Sequence, residues 1–333
     1  FETPFQPPSM HILVTGALGH IGSRLIRELP GRFPGADIVI IDNMLTQRYG
    51  SLFNLPEGAR YRFVEADLLE LDLDTALKGV DVVVHLAAFT DAVRSFDSCE
   101  VVERDYQAVQ QVAGACSAAG VSLVFTSSTS VYGTQKEVVD EGCAEDDLRP
   151  QSPYAELKLK AETLLTDLGN RQGLRHVIFR FGTICGVSPG MRFHTAVNKF
   201  CWQAVMGQPL TIWKTALHQK RPYLDLADAC ETVCHVIEKE IFDGSVYNVV
   251  TENLSVAEVL DMIKLHIPDV NLEFVDSAIM NQLSFQVSSS RIEGTGFQFE
   301  GSIRQGIAET IQMLRGANTV TMAAGSGFGG GTG

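Results

Sequence analysis

The chain has 333 residues, of which 45% are hydrophobic and 20% charged, and its formal net charge is −14. That size and apolar content suit one large or two smaller packed domains. An acidic balance with no basic run excludes the electrostatic footprint that nucleic acid or an anionic membrane requires.

Seven cysteines lie scattered without C-x-x-C spacing, which points to reduced thiols in a cytoplasmic compartment. No apolar run reaches the roughly 18 residues of a membrane span, and no signal peptide is visible, so a soluble protein is expected. Residues 1–9 carry three prolines and residues 317–333 are rich in glycine; both are expected to be tails, with Met10 opening the first strand and a candidate start.

His11 to Val14 is a short apolar run, the mark of a strand buried on both faces. It leads at once into TGALGHIG, in which Gly16, Gly19 and Gly22 precede a helical pattern, with His20 and Ile21 at the helix start. Glycines at this spacing let the backbone turn, approach a pyrophosphate and pack the helix on the sheet. The next run, Asp37 to Ile41, ends in Asp42-Asn43. An acid at that tip accepts hydrogen bonds from both hydroxyls of an adenosine ribose and repels a 2′-phosphate, so NAD is favoured over NADP.

The alternation repeats. Tyr61 to Glu65 leads to Asp67, placed to receive an adenine amino group, and to Leu68, placed to pack on the ring. Val82 to Leu86 leads to Ala87-Ala88, small residues that let a dinucleotide lie close, and His85 within that strand reads as structural. Ser95 to Ala119 reads as a long helix with Val101, Val109, Val112, Ala113 and Cys116 on its apolar side, followed by the strand Ser122 to Phe125. Strands alternating with helices over the first 180 residues predict an α/β fold, an open, doubly wound parallel sheet with ligands at the strands' carboxyl ends. The hydroxyl cluster Thr126 to Ser130, running on to Gly133, falls at such an end.

Tyr154 and Lys158 then stand four apart near the start of a helix reaching about Leu168, so they share a face. A cation beside the phenol moves its proton loss from pH ~10 towards neutrality and makes Tyr154 a candidate general base or acid for a sugar hydroxyl.

TGALGHIG, HLAA, TSSTSVYG and YAELK, in this order, resemble the extended short-chain dehydrogenase/reductase family, and within it the nucleotide-sugar epimerases and dehydratases of the UDP-glucose 4-epimerase kind. The resemblance spans about residues 10 to 315. It implies NAD held by Gly16, Gly19, Gly22, Asp42 and Asp67, with His20, Ile21, Asn43, Leu68, Leu86, Ala87, Ala88 and Thr126 along its path. It also implies a catalytic set of Tyr154, Lys158 and Ser128. Lys158 would bond the nicotinamide ribose and lower the pKa of Tyr154, and Ser128 would bond the reacting sugar oxygen, flanked by Thr129 and Ser130. Proton removal by tyrosinate with hydride transfer to NAD would give a keto-sugar.

Dehydratases of this family resemble STDEVYG at the hydroxyl turn, and decarboxylases place a glutamate where Ser130 stands. The chain instead matches SSSATVYG, the epimerase form. Two departures cut the other way. Arg180-Phe181-Gly182-Thr183 replaces the epimerases' RYFN, which leaves Thr183 in the place of a substrate-touching asparagine, and no RPGD-like motif occurs around 276–282.

After Gly186 the alternation breaks down. Ser188 to His194 reads as a loop into a helix over Ala196 to Val205. The resemblance places Asn198 and Arg221 on the sugar diphosphate, and Arg192 and His194 face the expected cleft, where they could recognise an anionic group on the sugar. Ser245 to Val250 is expected to rejoin the sheet, Ser255 to cap a helix over Val256 to His266, and Ser302 to Met313 to form the last helix. The expected division is 10–185 plus 221–250 for the Rossmann domain and 186–220 plus 251–316 for a smaller, discontinuous α+β substrate domain. Cys230, Cys234 and His235 read as an amphipathic helix, not a metal site.

The function expected is NAD-dependent C4 epimerisation of a nucleotide-diphosphate sugar. The alternatives are a dehydratase, a reductase or an enzyme resembling UDP-sulfoquinovose synthase, with a non-catalytic NAD-binding regulator disfavoured by the intact Tyr154 and Lys158. The resemblance further implies a homodimer in which helices near 95–119 and 154–170 pair as a four-helix bundle.

Overall fold

The computed structural model describes residues 9–90, 94–97, 99–133, 137–276 and 284–317. In chain order the first half contains β1 (His11–Thr15), α1 (His20–Arg32), β2 (Asp37–Asp42), β3 (Arg60–Glu65), α2 (Leu73–Ala76), β4 (Val82–His85), α3 (Cys99–Ala119), β5 (Ser122–Ser128), β6 (Val138–Val139) and α4 (Pro153–Gln172). The second half contains β7 (His176–Phe181), β8 (Thr183–Cys185), α5 (Ala196–Val205), β9 (Leu210–Trp213), β10 (Lys220–Asp225), α6 (Leu226–Glu238), β11 (Val246–Val249), β12 (Glu252–Ser255), α7 (Val256–Lys264), β13 (Leu272–Val275), β14 (Gln286–Val287), α8 (Ser290–Glu293) and α9 (Ile303–Leu314).

Seven parallel strands form the central sheet in the order β11-β7-β5-β4-β1-β2-β3. The order reverses between β1 and β4, which opens a crevice at their carboxyl ends. Alternate residues serve opposite faces. Ile12, Val14, Ile38, Ile40, Val84 and Phe179 pack with Leu25, Ile26 and Leu29 of α1 and Ala229 and Val233 of α6. Leu13, Val39, Ile41, Val83, Leu123, Phe125 and Ile178 pack with Val109, Val112 and Cys116 of α3 and Ala161 and Leu165 of α4. The continuous apolar runs of β1, β4 and β5 follow from this burial on both faces, whereas the edge strand β3 is largely exposed.

Helix α3 opens at Cys99, and Val101, expected on its apolar side, is 40% exposed because the buried stripe starts two turns later at Val109. Helix α4 begins where Ser152 accepts from the Ala155 amide at 3.2 Å and Pro153 takes the first turn, and it ends at Gly173 with φ +74°.

A three-stranded sheet, β12-β10-β8, lies apart from the large one, so the segment from Arg221 to Asp225 belongs to this sheet although the expected Rossmann boundaries included it. A third core joins α5, α7 and α9 through Phe200, Val259, Ile263, Ile307 and Ile311, and β10 enters it through Tyr223. β11 rejoins the large sheet beside β7, as expected. The expected tails lie almost wholly outside the described residues, as does most of the 276–282 stretch.

Candidate active site

The crevice begins at the glycine loop. Gly16 holds φ +62°, and a Cβ there would stand 2.6 Å from the Ala87 Cα, so the loop meets the backbone after β4 only because Gly16 has no Cβ. At Gly22 a Cβ would fall 2.6 Å from the Ala17 Cα, which sets the height of α1 on the sheet. Asp42 accepts from the Leu18 amide at 3.1 Å through Oδ2 and from the Met44 amide at 3.0 Å through Oδ1. These bonds aim the carboxylate beside the glycine loop, and each oxygen keeps lone-pair capacity for a ribose hydroxyl. This cradle, with an acid at its rim, fits a dinucleotide.

Other expected cofactor residues are placed differently. Leu68 is 7% exposed and belongs to the core with Val39 and Ile41, so most of its surface packs within the protein. Asp67 pairs with Arg104 at 2.8 Å, and its Oδ1 accepts from the Leu69 amide at 3.0 Å. Ile21 packs against the core under α1 and α6. His20 turns towards the second domain, with Nδ1 2.8 Å from Ser188 Oγ and Nε2 3.5 Å from Asn198 Nδ2. Burial, reinforced by Arg48, His194 and Arg192, pulls its pKa down to about 3, so the ring is neutral.

Arg48 carries no motif that singles it out, yet its guanidinium lies 3.7 Å from the point a Gly19 Cβ would occupy, and burial with the nearby Arg192 lowers its pKa. A half-buried cation over a glycine loop suits phosphate. Gly190 also escaped the sequence reading. A Cβ there would stand 2.2 Å from the Leu18 carbonyl oxygen and 2.5 Å from that of Gly19, and its amide donates to Ser23 Oγ at 2.9 Å. The loop after Gly186 thus closes directly on the glycine loop.

At the end of β5, Ser128 accepts from the Ser130 amide at 3.1 Å, and its hydroxyl lies near enough to Tyr154 to pull the phenol's pKa down. Lys158 is 3% exposed, donates from Nζ to the Thr126 carbonyl at 2.7 Å, and lies 5.8 Å from the Tyr154 ring centre. Burial drops its pKa to about 8, opposed by Asp105 and Glu162. Burial pushes the Tyr154 phenol up to about 12, opposed by the Ser128 bond and aided by Asp105. Burial is the largest influence on the phenol, and the Lys158 ammonium is bonded to a backbone carbonyl. Asp105, on α3, went unnoticed in sequence because it sits among solvent-facing residues of a helix; its Oδ2 accepts from the Phe89 amide at 2.5 Å.

Thr129 is 5% exposed and its hydroxyl donates to the Phe181 carbonyl at 3.3 Å, so it faces the sheet and not a substrate. Ser130 differs, for its Oγ is buried without a protein partner. Asn198 is 0% exposed and spends its amide on the Gly186 amide and the Arg192 carbonyl, holding the loop instead of meeting a diphosphate. Arg192 reaches across to Thr90 Oγ1 at 3.1 Å. Arg221 donates to Gln219 at 2.9 Å, and Thr183 is partly buried beside Tyr223 on the neighbouring strand. His85 is enclosed as expected, with Nδ1 2.9 Å from Thr15 Oγ1 and a pKa pulled down to about 3, although its Nε2 has no partner.

The model of the NAD-dependent epimerase/dehydratase family matches residues 12–249. The chain belongs to that family. This epimerase/dehydratase chain is 33% identical over 265 residues, 77% of its length and 81% of the relative, to an uncharacterised UDP-glucose epimerase, YtcB, of Bacillus subtilis. It is 28% identical to the trifunctional UDP-glucose 4,6-dehydratase, 3,5-epimerase and 4-keto-reductase of Arabidopsis thaliana, covering 93% of this chain but 47% of that protein. Among solved structures, UDP-glucuronic acid 4-epimerase of Bacillus cereus, in complex with UDP-glucuronic acid and NAD, shares 26% identity at a TM-score of 0.79, over 92% of this chain and 99% of its own.

The epimerase/dehydratase chain is thus an NAD-dependent enzyme by family, and its glycine loop and Asp42 fit that cofactor. Among the described residues no His, Cys, Asp and Glu group could hold a metal, and no helix is long and apolar enough to cross a membrane. Cys230 and Cys234 are buried free thiols, as the helical reading expected.

Proposed function

We propose that the protein is an NAD-dependent epimerase of a UDP-hexose or UDP-hexuronate, acting at C4 through a transient 4-keto-sugar. The observation that carries this reading is the convergence of Ser128, Tyr154 and Lys158 at the end of β5, with the uncharged Ser130 beside them. Similarity to enzymes named for UDP-glucose and UDP-glucuronic acid supports the substrate class.

When bound, NAD supplies a positively charged ring that accepts and returns hydride. Tyr154 takes the proton of the C4 hydroxyl and returns it to the same oxygen after the keto-sugar has turned to present its other face to the hydride, while Ser128 bonds that oxygen and orients it. Lys158, kept protonated by Asp105 and Glu162, stabilises the phenolate once it forms. Ser130 offers neither the acid nor the base that elimination or decarboxylation needs, which favours epimerisation over the dehydratase chemistry of other relatives. Arg48 and Arg221 are proposed phosphate ligands, and Arg192 with His194 is proposed to face the sugar. The buried thiols fit a reducing, cytoplasmic compartment. Helices α3 and α4, packed side by side, are proposed to meet a second copy as a four-helix bundle, and sedimentation showing only monomer at micromolar concentration would remove that element.

Proton NMR of the protein with NAD and a panel of UDP-, dTDP- and GDP-hexoses and hexuronates tests the reaction. The expected result is a new anomeric signal with a UDP-sugar and no net NADH. Loss of water, or steady consumption of NADH, would replace epimerisation with dehydration or reduction.

A further inference from the structure

One turn beyond Lys158, on the same face of α4, stands Glu162, so Tyr154, Lys158 and Glu162 form a line at i, i+4 and i+8. Each meets the last residues of β5. Tyr154 faces Ser128 closely enough for it to lower the phenol's pKa, Lys158 donates to the Thr126 carbonyl, and Ser127 Oγ donates to Glu162 Oε1. Ser127 is paired in register with Arg180 of β7, and the Arg180 guanidinium grips Glu162 by two edges, Nη2 to Oε2 at 2.6 Å and Nε to Oε1 at 3.0 Å.

The cluster is closed to water. Ser127 is 4%, Glu162 4% and Arg180 5% exposed. The remaining Arg180 nitrogen, Nη1, donates to the Tyr132 hydroxyl at 2.9 Å, which in turn donates to Asn248 Oδ1 at 2.8 Å. A buried ion pair is a poor source of stability, because apolar residues of like volume serve as well or better. Its neighbours along α4, Ala161 and Leu165, are apolar. What the pair has that an apolar contact lacks is direction, since each hydrogen bond fixes an angle and a distance.

We propose that Glu162 is a positioning residue for the Tyr154/Lys158 pair: through Ser127 and Arg180 it locks the register of α4 on β5, so that Ser128 and the Thr126 carbonyl meet their partners. This inference rests on the function proposed above for that pair. Glu162 also contributes negative charge to Lys158, together with Asp105 from α3, while His85 from β4 stays neutral and Tyr154 lies on the same helix face. Lys158 is thereby held cationic to higher pH than burial alone allows.

The test uses the full chain with Ser127→Ala, which keeps the ion pair, and Glu162→Gln/Arg180→Gln, which removes both charges without leaving one unpaired. Two readouts are taken: kcat and KM on the UDP-sugar that the panel identifies, and the titration of Lys158 by 13Cε NMR in protein without substrate, assigned with Lys158→Arg. Ser127→Ala is expected to lower kcat five- to twentyfold with KM within twofold. In the double variant the Lys158 midpoint is expected to fall by half a pH unit or more. Variants that lose only thermal stability, with kcat and the Lys158 midpoint unchanged, overturn the proposal. A wild-type enzyme inactive on every sugar overturns the proposed function instead, and the Lys158 midpoint still decides the role of Glu162.

Discussion

The Lys158 ammonium donates to the carbonyl of Thr126 at 2.7 Å, and so the cation of the helix is tied to the strand that carries Ser128. This bond orders the site before any ligand arrives, and it also directs the charge away from the phenol of Tyr154. Burial holds the phenol above its ordinary pKa in the protein alone.

Ligand-free protein should keep Tyr154 protonated well past neutrality. The 295 nm difference spectrum between wild type and Tyr154→Phe should stay flat to pH 10 and rise with a midpoint near 12. Because the folded pKa lies above the unfolded one, this group lowers stability as pH climbs from about 10 to 12. A midpoint below 9 would show that Lys158 suffices by itself.

Tyr154→Phe should bind NAD as wild type does and lose turnover by about 10²–10⁴-fold, the usual contribution of a positioned acid/base group. NMR turnover and calorimetric titration with NAD separate the two effects. A variant with wild-type kcat would end the proposed mechanism.

Asp105→Asn removes a negative charge that raises the pKa of both Tyr154 and Lys158. Both values should fall, so the acid and alkaline limbs of the kcat profile should move together to lower pH, by about one unit. Unmoved limbs would place Asp105 outside the electrostatics of the site.

Gly190→Ala should strike the backbone of the glycine loop, where the new Cβ meets carbonyl oxygens that have no rotamer to yield. A loss of about 1–3 kcal/mol is expected from such overpacking, with weaker NAD binding, read by thermal melting and NAD titration. Gly35→Ala is the control for a glycine with open space, although its φ of +81° gives it a strain of its own.

His20 should make the protein acid-sensitive. Its pKa is near 3 folded and 6.5 unfolded, so the unfolded chain binds the proton first and stability falls as pH drops below 6.5. The loss at pH 5 should be about 2 kcal/mol. His20→Asn should flatten the melting temperature between pH 7 and 5; an unchanged slope would assign the effect to other histidines.

The sequence by itself determined the strand-helix alternation, the glycine loop and Asp42, and it singled out Ser128, Tyr154 and Lys158 as the proposed catalytic set. These are local matters: apolar runs, helical spacing and turn glycines act over a few residues, so one dimension carries them. Only the tertiary structure decided which side chains the packed protein consumes. Leu68, Thr129 and Asn198 sit beside the motifs in sequence, yet the sheet, the β7 backbone and the loop after Gly186 claim them. Arg48, Asp105, Glu162 and Gly190 take their surroundings from segments up to 172 positions away, as where Gly190 meets Leu18. Burial likewise raises the pKa of the Tyr154 phenol, and desolvation depends on everything that surrounds a group, which spacing along the chain does not report.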